Sequence, residues 1–182
     1  MGTLFSLNNF RMKIKDKRNL FRFGGAMLAL LMALPAFSKP RIAVLDFELR
    51  DLTVLPGVPE ELVRTASIKP LLEEELSKSG YEIVRINVAE QHEANSGFGY
   101  LFDHHDLAAQ LAAKYRADYV IVGRLHKPSF LFVYLMAHLV DVKKQALVAD
   151  YLSEIKGGDK KLTRKGVESL VDKINDGFKS LK

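Results

Sequence analysis

Tyr119-Val120-Ile121-Val122-Gly123 is the stretch of sequence that decides the fold. It is a short, unbroken apolar run rich in β-branched residues, and the preceding Ala117-Asp118 closes a helical pattern. A run of this kind is typical of a central strand that is covered on both faces, as in sheets whose strands alternate with helices. The sequence therefore predicts an α/β domain built around this strand.

The chain before this strand alternates between strand and helix patterns. Residues 41–47 and 81–86 have the composition of strands, and residues 52–60 are rich in proline and glycine, which predicts a loop. Apolar residues recur at helical spacing from about residue 61 to Gly80, where the helix should stop. Because proline lacks a backbone donor, Pro70 predicts an interruption of that helix.

The rest of the chain predicts a long connection and then a hairpin. Residues 87–102 are expected to form a loop, and residues 103–117 a helix that Asp103 caps. The later elements are predicted as two strands joined as a hairpin, residues 130–142 and 146–155, and a final helix capped by Asp159. The predicted order is β-α-β-α-β-β-β-α, which is a single α/β (α+β) domain with a mixed sheet.

The N-terminal residues have the pattern of a secretory signal peptide. Nine apolar residues, residues 26–34, follow six basic residues and precede Pro35-Ala36-Phe37-Ser38. A membrane-spanning helix needs roughly 20 apolar residues, whereas the small residues Ala36 and Ser38 suit cleavage before Lys39. We expect residues 1–38 to be removed, with Met12 as an alternative start, leaving a domain of residues 39–182 in the periplasm or the medium without a stable membrane span.

The positive charge of the chain belongs to this leader. The whole sequence has 27 basic and 22 acidic residues, but six of the basic and one of the acidic residues precede Lys39, which leaves 21 of each. A balanced domain has no electrostatic basis for binding nucleic acid. The sequence has no cysteine, so a disulfide framework, a thiolate metal site and a lipid-bearing cysteine are all excluded for it.

A cluster of histidines and aspartates supplies the candidate metal ligands. Asp103-His104-His105-Asp106 joins imidazoles and carboxylates, and His92 lies in the connection that leads to them. Adjacent helical residues point about 100° apart, however, and no HxxxH pair exists. A metal-dependent periplasmic enzyme that uses His92, His104 and His105 is therefore the alternative function, while the main expectation has no metal, no cofactor and no catalytic residue.

A binding surface is expected where the loops at the carboxyl ends of the early strands meet. These are residues 46–55, 87–102 and 124–129. Aromatic side chains in them offer apolar contact area, and basic side chains offer local positive charge. The predicted partner-binding residues are Phe98, Tyr100, Arg124, His126 and Lys127.

The segment from Ala117 to Leu131, with Val140-Asp141-Val142 and Ile155 to Asp159, resembles a family of uncharacterised secreted bacterial proteins. In that family an Ala-Asp-strand-Gly segment leads to a Lys-x-Ser-x-Leu turn, which Lys127, Ser129 and Leu131 match. The topology is also similar to the periplasmic TolB amino-terminal and CsgG-like α/β domains. The resemblance implies an exported, non-catalytic binding or assembly module of the cell envelope with an envelope protein as partner. Monomer and oligomer both remain open.

Overall fold

The computed structural model of the protein describes residues 39–156 and 160–180, which belong to the unit Lys39–Lys182. The described part has six strands and five helices. In chain order the elements are β1 (Arg41–Val44), β2 (Glu48–Asp51), α1 (Pro59–Lys78), β3 (Glu82–Val84), α2 (Val88–Ala94), α3 (Tyr100–Asp103), α4 (His105–Ala113), β4 (Tyr119–Lys127), β5 (Phe132–Asp141), β6 (Ala146–Lys156) and α5 (Lys160–Ser180). The predicted mixed α/β fold is confirmed.

All six strands lie in one mixed sheet with the order β3-β1-β4-β5-β6. The strands β3, β1 and β4 are parallel, β5 and β6 pair antiparallel, and β2 pairs with β4 beyond the end of β1. The apolar run at residues 119–123 forms the first half of β4, where Val120 and Ile121 are buried on opposite faces. The decisive stretch is therefore the centre of the sheet, as its composition indicates.

Helices cover the two faces of the sheet unequally. On one face, α1 and α5 enclose a core in which Ile121 and Leu125 of β4 contact apolar side chains of both helices. On the other face, α3 and α4 pack over β1 and β4 around Val120 and Val122. The end of the hairpin β5–β6 is not covered on this second face, since Leu152 there is half exposed.

The predicted first strand is split into two. Leu45 still donates its amide to Ile121, but the backbone of Asp46 is bonded by the side-chain amide of Gln91 instead of by a strand. The chain then begins β2 at Glu48. Sequence patterning does not show this break, because a side chain 45 residues away satisfies the backbone at the interruption.

The predicted interruption at Pro70 is wrong. The helix α1 runs continuously through Pro70, an exposed residue. Ile68, Leu72 and Leu76 are fully buried along the other side of the same helix. Tertiary packing of this apolar stripe outweighs the lost hydrogen bond, in keeping with the general origin of helix stability in proteins.

The predicted loop at residues 87–102 is also wrong, because it contains α2 and α3. Asn87 caps α2 by accepting a hydrogen bond from the Ala89 amide at 2.8 Å, a start signal that the sequence does carry. Asp103 does not cap the next helix, since it ends α3 and α4 begins at His105 without a side-chain cap. The cap predicted at Asp159 and the leader at residues 1–38 lie outside the described residues.

The carboxyl group of Asp51 makes the stability of the fold depend on pH. Its carboxylate accepts hydrogen bonds from the backbone of Thr53 and Gly57 and lies 4.0 Å from Lys127 Nζ. Burial acts to raise the pKa of Asp51, but these hydrogen bonds and the Lys127 charge outweigh it, so the pKa lies below its usual value. A carboxyl with a depressed pKa stabilises the fold above its unfolded pKa, and that stability is lost as pH falls through the folded value.

We therefore expect Asp51→Asn to lower stability at neutral pH and to flatten its decline below about pH 4. Urea unfolding at a series of pH values measures this, with Asp172→Asn on the exposed side of α5 as the matched control. A variant that follows the wild-type pH curve in parallel would show that Asp51 does not carry the effect.

Candidate functional site

The residues predicted to bind a partner lie on two elements that meet on the second face of the sheet. Phe98 and Tyr100 belong to the segment at residues 95–102, and Arg124 and His126 belong to β4. Even-numbered residues of this part of β4 point to the side of α3, since Phe102 of α3 lies over Arg124. Four of the five predicted residues are thus neighbours.

The side chain of Arg124 lies beneath the segment at residues 95–102 and supports it. Its guanidinium carbon lies 4.9 Å from the ring centroid of Phe98 and 4.1 Å from that of Phe102. Its Nη2 is 3.4 Å from Oε2 of Glu48, and the residue is only 6% exposed. A desolvated cation between two aromatic faces and a carboxylate fixes the height of the segment above the sheet.

Glu48 fixes the segment from the other side. The Gly99 amide donates to both carboxylate oxygens of Glu48, at 3.0 and 2.9 Å, and Asn95 Nδ2 donates to Oε1 at 3.1 Å. Gly99 has a φ of 81°, and a Cβ there would lie 2.7 Å from Arg124 Nη2. Residues from three predicted loops therefore meet, and Phe98 stands 61% exposed on a buried support.

The prediction that Lys127 shares this surface is wrong. Lys127 is 6% exposed and points to the opposite face of β4, where its Nζ is 2.9 Å from Glu61 Oε1 of α1. The strand continues to residue 127 instead of ending at Gly123, so the side chains keep alternating between faces. The surface keeps Phe98, Tyr100 and His126 as accessible members, with Arg124 beneath them.

The expected positive character of this edge does not come from the residues predicted to supply it. Glu48 compensates the charge of Arg124, and Glu61 compensates that of Lys127. Burial lowers the pKa of His126, and the charges of Arg50 and Arg124 lower it further, so its imidazole is neutral at neutral pH. Arg50, exposed on β2 beside His126, is the cation that this edge presents to solvent.

The histidines of the alternative metal site make separate contacts. His104 stacks on Tyr100, and its Nδ1 lies 2.8 Å from the Tyr100 carbonyl oxygen. His105 Nε2 lies 2.9 Å from Nδ1 of His138, while His92 is exposed on α2. Within residues 39–156 and 160–180, no group of three or more histidine or acidic side chains is arranged to hold a metal ion.

His138 is the histidine that contacts His105. It lies on β5 with Phe102 against its ring, and its Nε2 is 3.7 Å from Oδ1 of Asp150. Burial lowers the pKa of His138, an effect to which the His105 charge adds. One imidazole of the hydrogen-bonded pair donates and the other accepts, so the pair joins α4 to the sheet with at least one ring neutral.

Beside the segment at residues 95–102, the sheet presents exposed and half-buried side chains. We call this surface the open face. Its members, read from strand pairing across β4, β5 and β6, are His126, Phe132, Tyr134, Met136, Leu152, Glu154 and Lys156. Apolar groups thus form the centre of the open face, and ionisable groups lie at its two flanks, which is the anatomy of a protein-binding patch.

A shallow cleft of about 380 Å³ lies elsewhere, between α1 and the junction of β1 and β2. It is lined by Asp46, Phe47, Leu49, Leu62, Thr65 and Ala66. Asp46, its only ionisable lining group, forms an ion pair with Lys69 at 3.0 Å. The cleft therefore offers apolar contact and no free acid or base.

Residues 40–174 match the model of the family DUF3280, which is described as a protein of unknown function (DUF2380). No curated protein sequence matches the chain. Within residues 39–156 and 160–180, no helix combines the length and apolar character that crossing a bilayer requires.

Several solved structures are similar in fold. The PelC dodecamer of Paraburkholderia phytofirmans has 19% identity and a TM-score of 0.49, covering 79% of this chain and 90% of that one. Lipoprotein GNA1162 of Neisseria meningitidis has 20% identity and a TM-score of 0.47, covering 75% and 96%. TolB of Acinetobacter baumannii has 17% identity and a TM-score of 0.42, covering 73% and 27%. The predicted resemblance to a family of uncharacterised proteins is confirmed by the family model.

Proposed function

We propose that this chain, which belongs to the DUF3280 family of proteins of unknown function, is an exported, non-catalytic binding or assembly module of the bacterial cell envelope. The observation that carries the proposal is the exposed ring of Phe98, held on the buried Arg124 beside the open face. A protein partner in the envelope would dock there.

The anchor at Phe98 has the properties of an interface hot spot. Aromatic side chains give large contact area for a small loss of conformational entropy. Here the segment that carries Phe98 is already fixed by Glu48 through Gly99 and Asn95. A partner would therefore not have to order it, and preorganisation of this kind strengthens binding.

Charge pairing favours a binding role over catalysis at this place. Arg124 is paired with Glu48, Lys127 with Glu61 and Asp46 with Lys69, so these groups stabilise the fold. A hydrolytic site needs a nucleophile, a base within hydrogen-bond reach and a group that orients the base. The histidine contacts give the metal-dependent alternative no specific support, and we do not retain it.

Export is proposed on the pattern of residues 1–38. A short apolar run after basic residues, with Ala36 and Ser38 before Lys39, is the pattern of a cleaved leader. The balanced charge of the remaining residues gives no electrostatic reason for a nucleic-acid partner, so a protein partner is proposed.

The proposal predicts that Phe98→Ala weakens partner binding at least tenfold, because truncating an aromatic hot spot costs about 2 kcal/mol. Quantitative affinity purification from a cross-linked periplasmic fraction measures this. Phe130→Ala is the matched control, since Phe130 is also 61% exposed but lies against Lys127, away from the anchor. Equal loss for both variants, or loss for neither, would remove Phe98 as the anchor.

A further inference from the structure

We infer that the partner seated on the open face is a second copy of this chain, related to the first by a two-fold axis along β5. The inference rests on the proposed binding role and names its partner. A two-fold contact of this type uses the same patch on both copies, so each contact occurs twice.

The shape of the second face fits this arrangement. The segment carrying Phe98 rises over β4, whereas Phe132 of β5 and Leu152 of β6 are exposed beside it. Arg124, Met136 and Leu152 lie opposite one another on β4, β5 and β6. A two-fold axis along β5 exchanges β4 with β6, so the projecting Phe98 of each copy meets the bare Leu152 of the other.

The same two-fold rotation also places opposite charges of the two copies against each other. His126, Tyr134 and Glu154 form the next row across the sheet, and Arg50 of β2 lies beside His126. Neither Arg50 nor Glu154 has an ion-pair partner among residues 39–156 and 160–180. The exchange brings Glu154 of one copy to Arg50 and His126 of the other, and the reverse, so both unpaired charges are matched.

Other occupants fit this surface less well. A partner of uniform charge would be attracted by part of this surface and repelled by another part, because Glu154 differs in sign from Arg50 and Lys156, whereas a second copy carries both signs. A strand added to the edge of β6 would compete with Lys173 of α5, whose Nζ donates to the carbonyl oxygen of Leu152. Packing of sheet against sheet across the open face leaves this contact intact.

The inference is tested by sedimentation velocity over a range of concentrations. The sample is the protein expressed from its full-length coding sequence. We expect the mass of a dimer for the wild type and of a monomer for Leu152→Asp, which places a charge in the apolar centre. Arg50→Glu and Glu154→Lys should each weaken the dimer about tenfold. Both substitutions in the same chain should restore it, because the charges are then complementary again.

Glu168→Lys, on the exposed side of α5, is the control for a change of net charge and should leave the dimer unchanged. Circular dichroism confirms that each variant is folded. A wild type that stays monomeric, or an oligomer that is indifferent to Leu152→Asp and to the charge reversals, would overturn the inference. A monomer that still needs Phe98 to bind another envelope protein would overturn the second copy as partner and leave the proposed function standing.

Discussion

Replacement of Lys127 with methionine is expected to lower the free energy of unfolding by about 3–5 kcal/mol. The Lys127 ammonium lies 2.9 Å from Glu61 and 4.0 Å from Asp51, and all three side chains are at least nine-tenths buried. Methionine fills a similar volume, so the loss comes from Asp51, which is left without a cation, and from Glu61, which keeps only Arg64 at 3.4 Å. Denaturant unfolding monitored by circular dichroism measures it.

Lys143→Met is the matched control, because Lys143 is exposed on the turn between β5 and β6. We expect it to change stability by less than about 0.5 kcal/mol. Adding Asp51→Asn to the Lys127 variant should recover part of the loss, since the carboxylate that was left without a cation is then removed. Equal stability of the two single variants would contradict a structural role for Lys127.

Gly123→Ala is expected to lower the free energy of unfolding by about 1–3 kcal/mol, although alanine is otherwise tolerated in strands. A Cβ at position 123 would lie 2.2 Å from two ring carbons of Phe47, so the ring must leave its place. Phe47 is buried in the core between the sheet and α1, and its displacement opens a gap there. Thermal and denaturant unfolding of the purified variant measure the effect.

The cause of this loss can be isolated with a double-mutant cycle. Phe47→Ala alone should cost about 3–5 kcal/mol, and Gly123→Ala should then cost almost nothing more. Additive losses would show that the glycine is needed for a reason other than the Phe47 ring. Gly97→Ala is a control for glycine replacement itself, because a Cβ at that position meets no atom within 4 Å.

The central strand and the fold class could be predicted because they depend on local composition. A short apolar run such as residues 119–123 has few alternatives to a buried strand in a domain of this size. The length of that strand could not be predicted in the same way. It extends to Lys127 because β2 and β5 pair with it on either side, and strand pairing is a long-range property.

The candidate site was predictable in its residues but not in their chemistry. Aromatic residues in an apparent loop indicated Phe98 and Tyr100, and the rule for open sheets indicated Arg124 and His126. The contact of Arg124 with Glu48, 76 residues away, has no local signal in the sequence. Because of this contact, Arg124 is a buried support instead of the predicted surface cation. Reasoning from the sequence also missed Glu48, Met136 and Leu152.

The histidine pair shows the same limit. The sequence indicated His105 as a possible ligand next to His104 and His92, but its contact is His138 on β5. The relation between α4 and β5 depends on how the helix packs on the sheet, which periodicity alone does not give. Only the packed structure shows that His105 serves to join two elements.

Photo-crosslinking in living cells tests the central claim most directly. A photo-reactive amino acid is introduced at position 98 in one strain and at position 130 in another, and the periplasmic and cytosolic fractions are compared. We expect a discrete protein adduct from position 98 in the periplasmic fraction and none from position 130. Absence of an adduct at position 98, or recovery of the chain only from the cytosol, would contradict the account of an exported binding module.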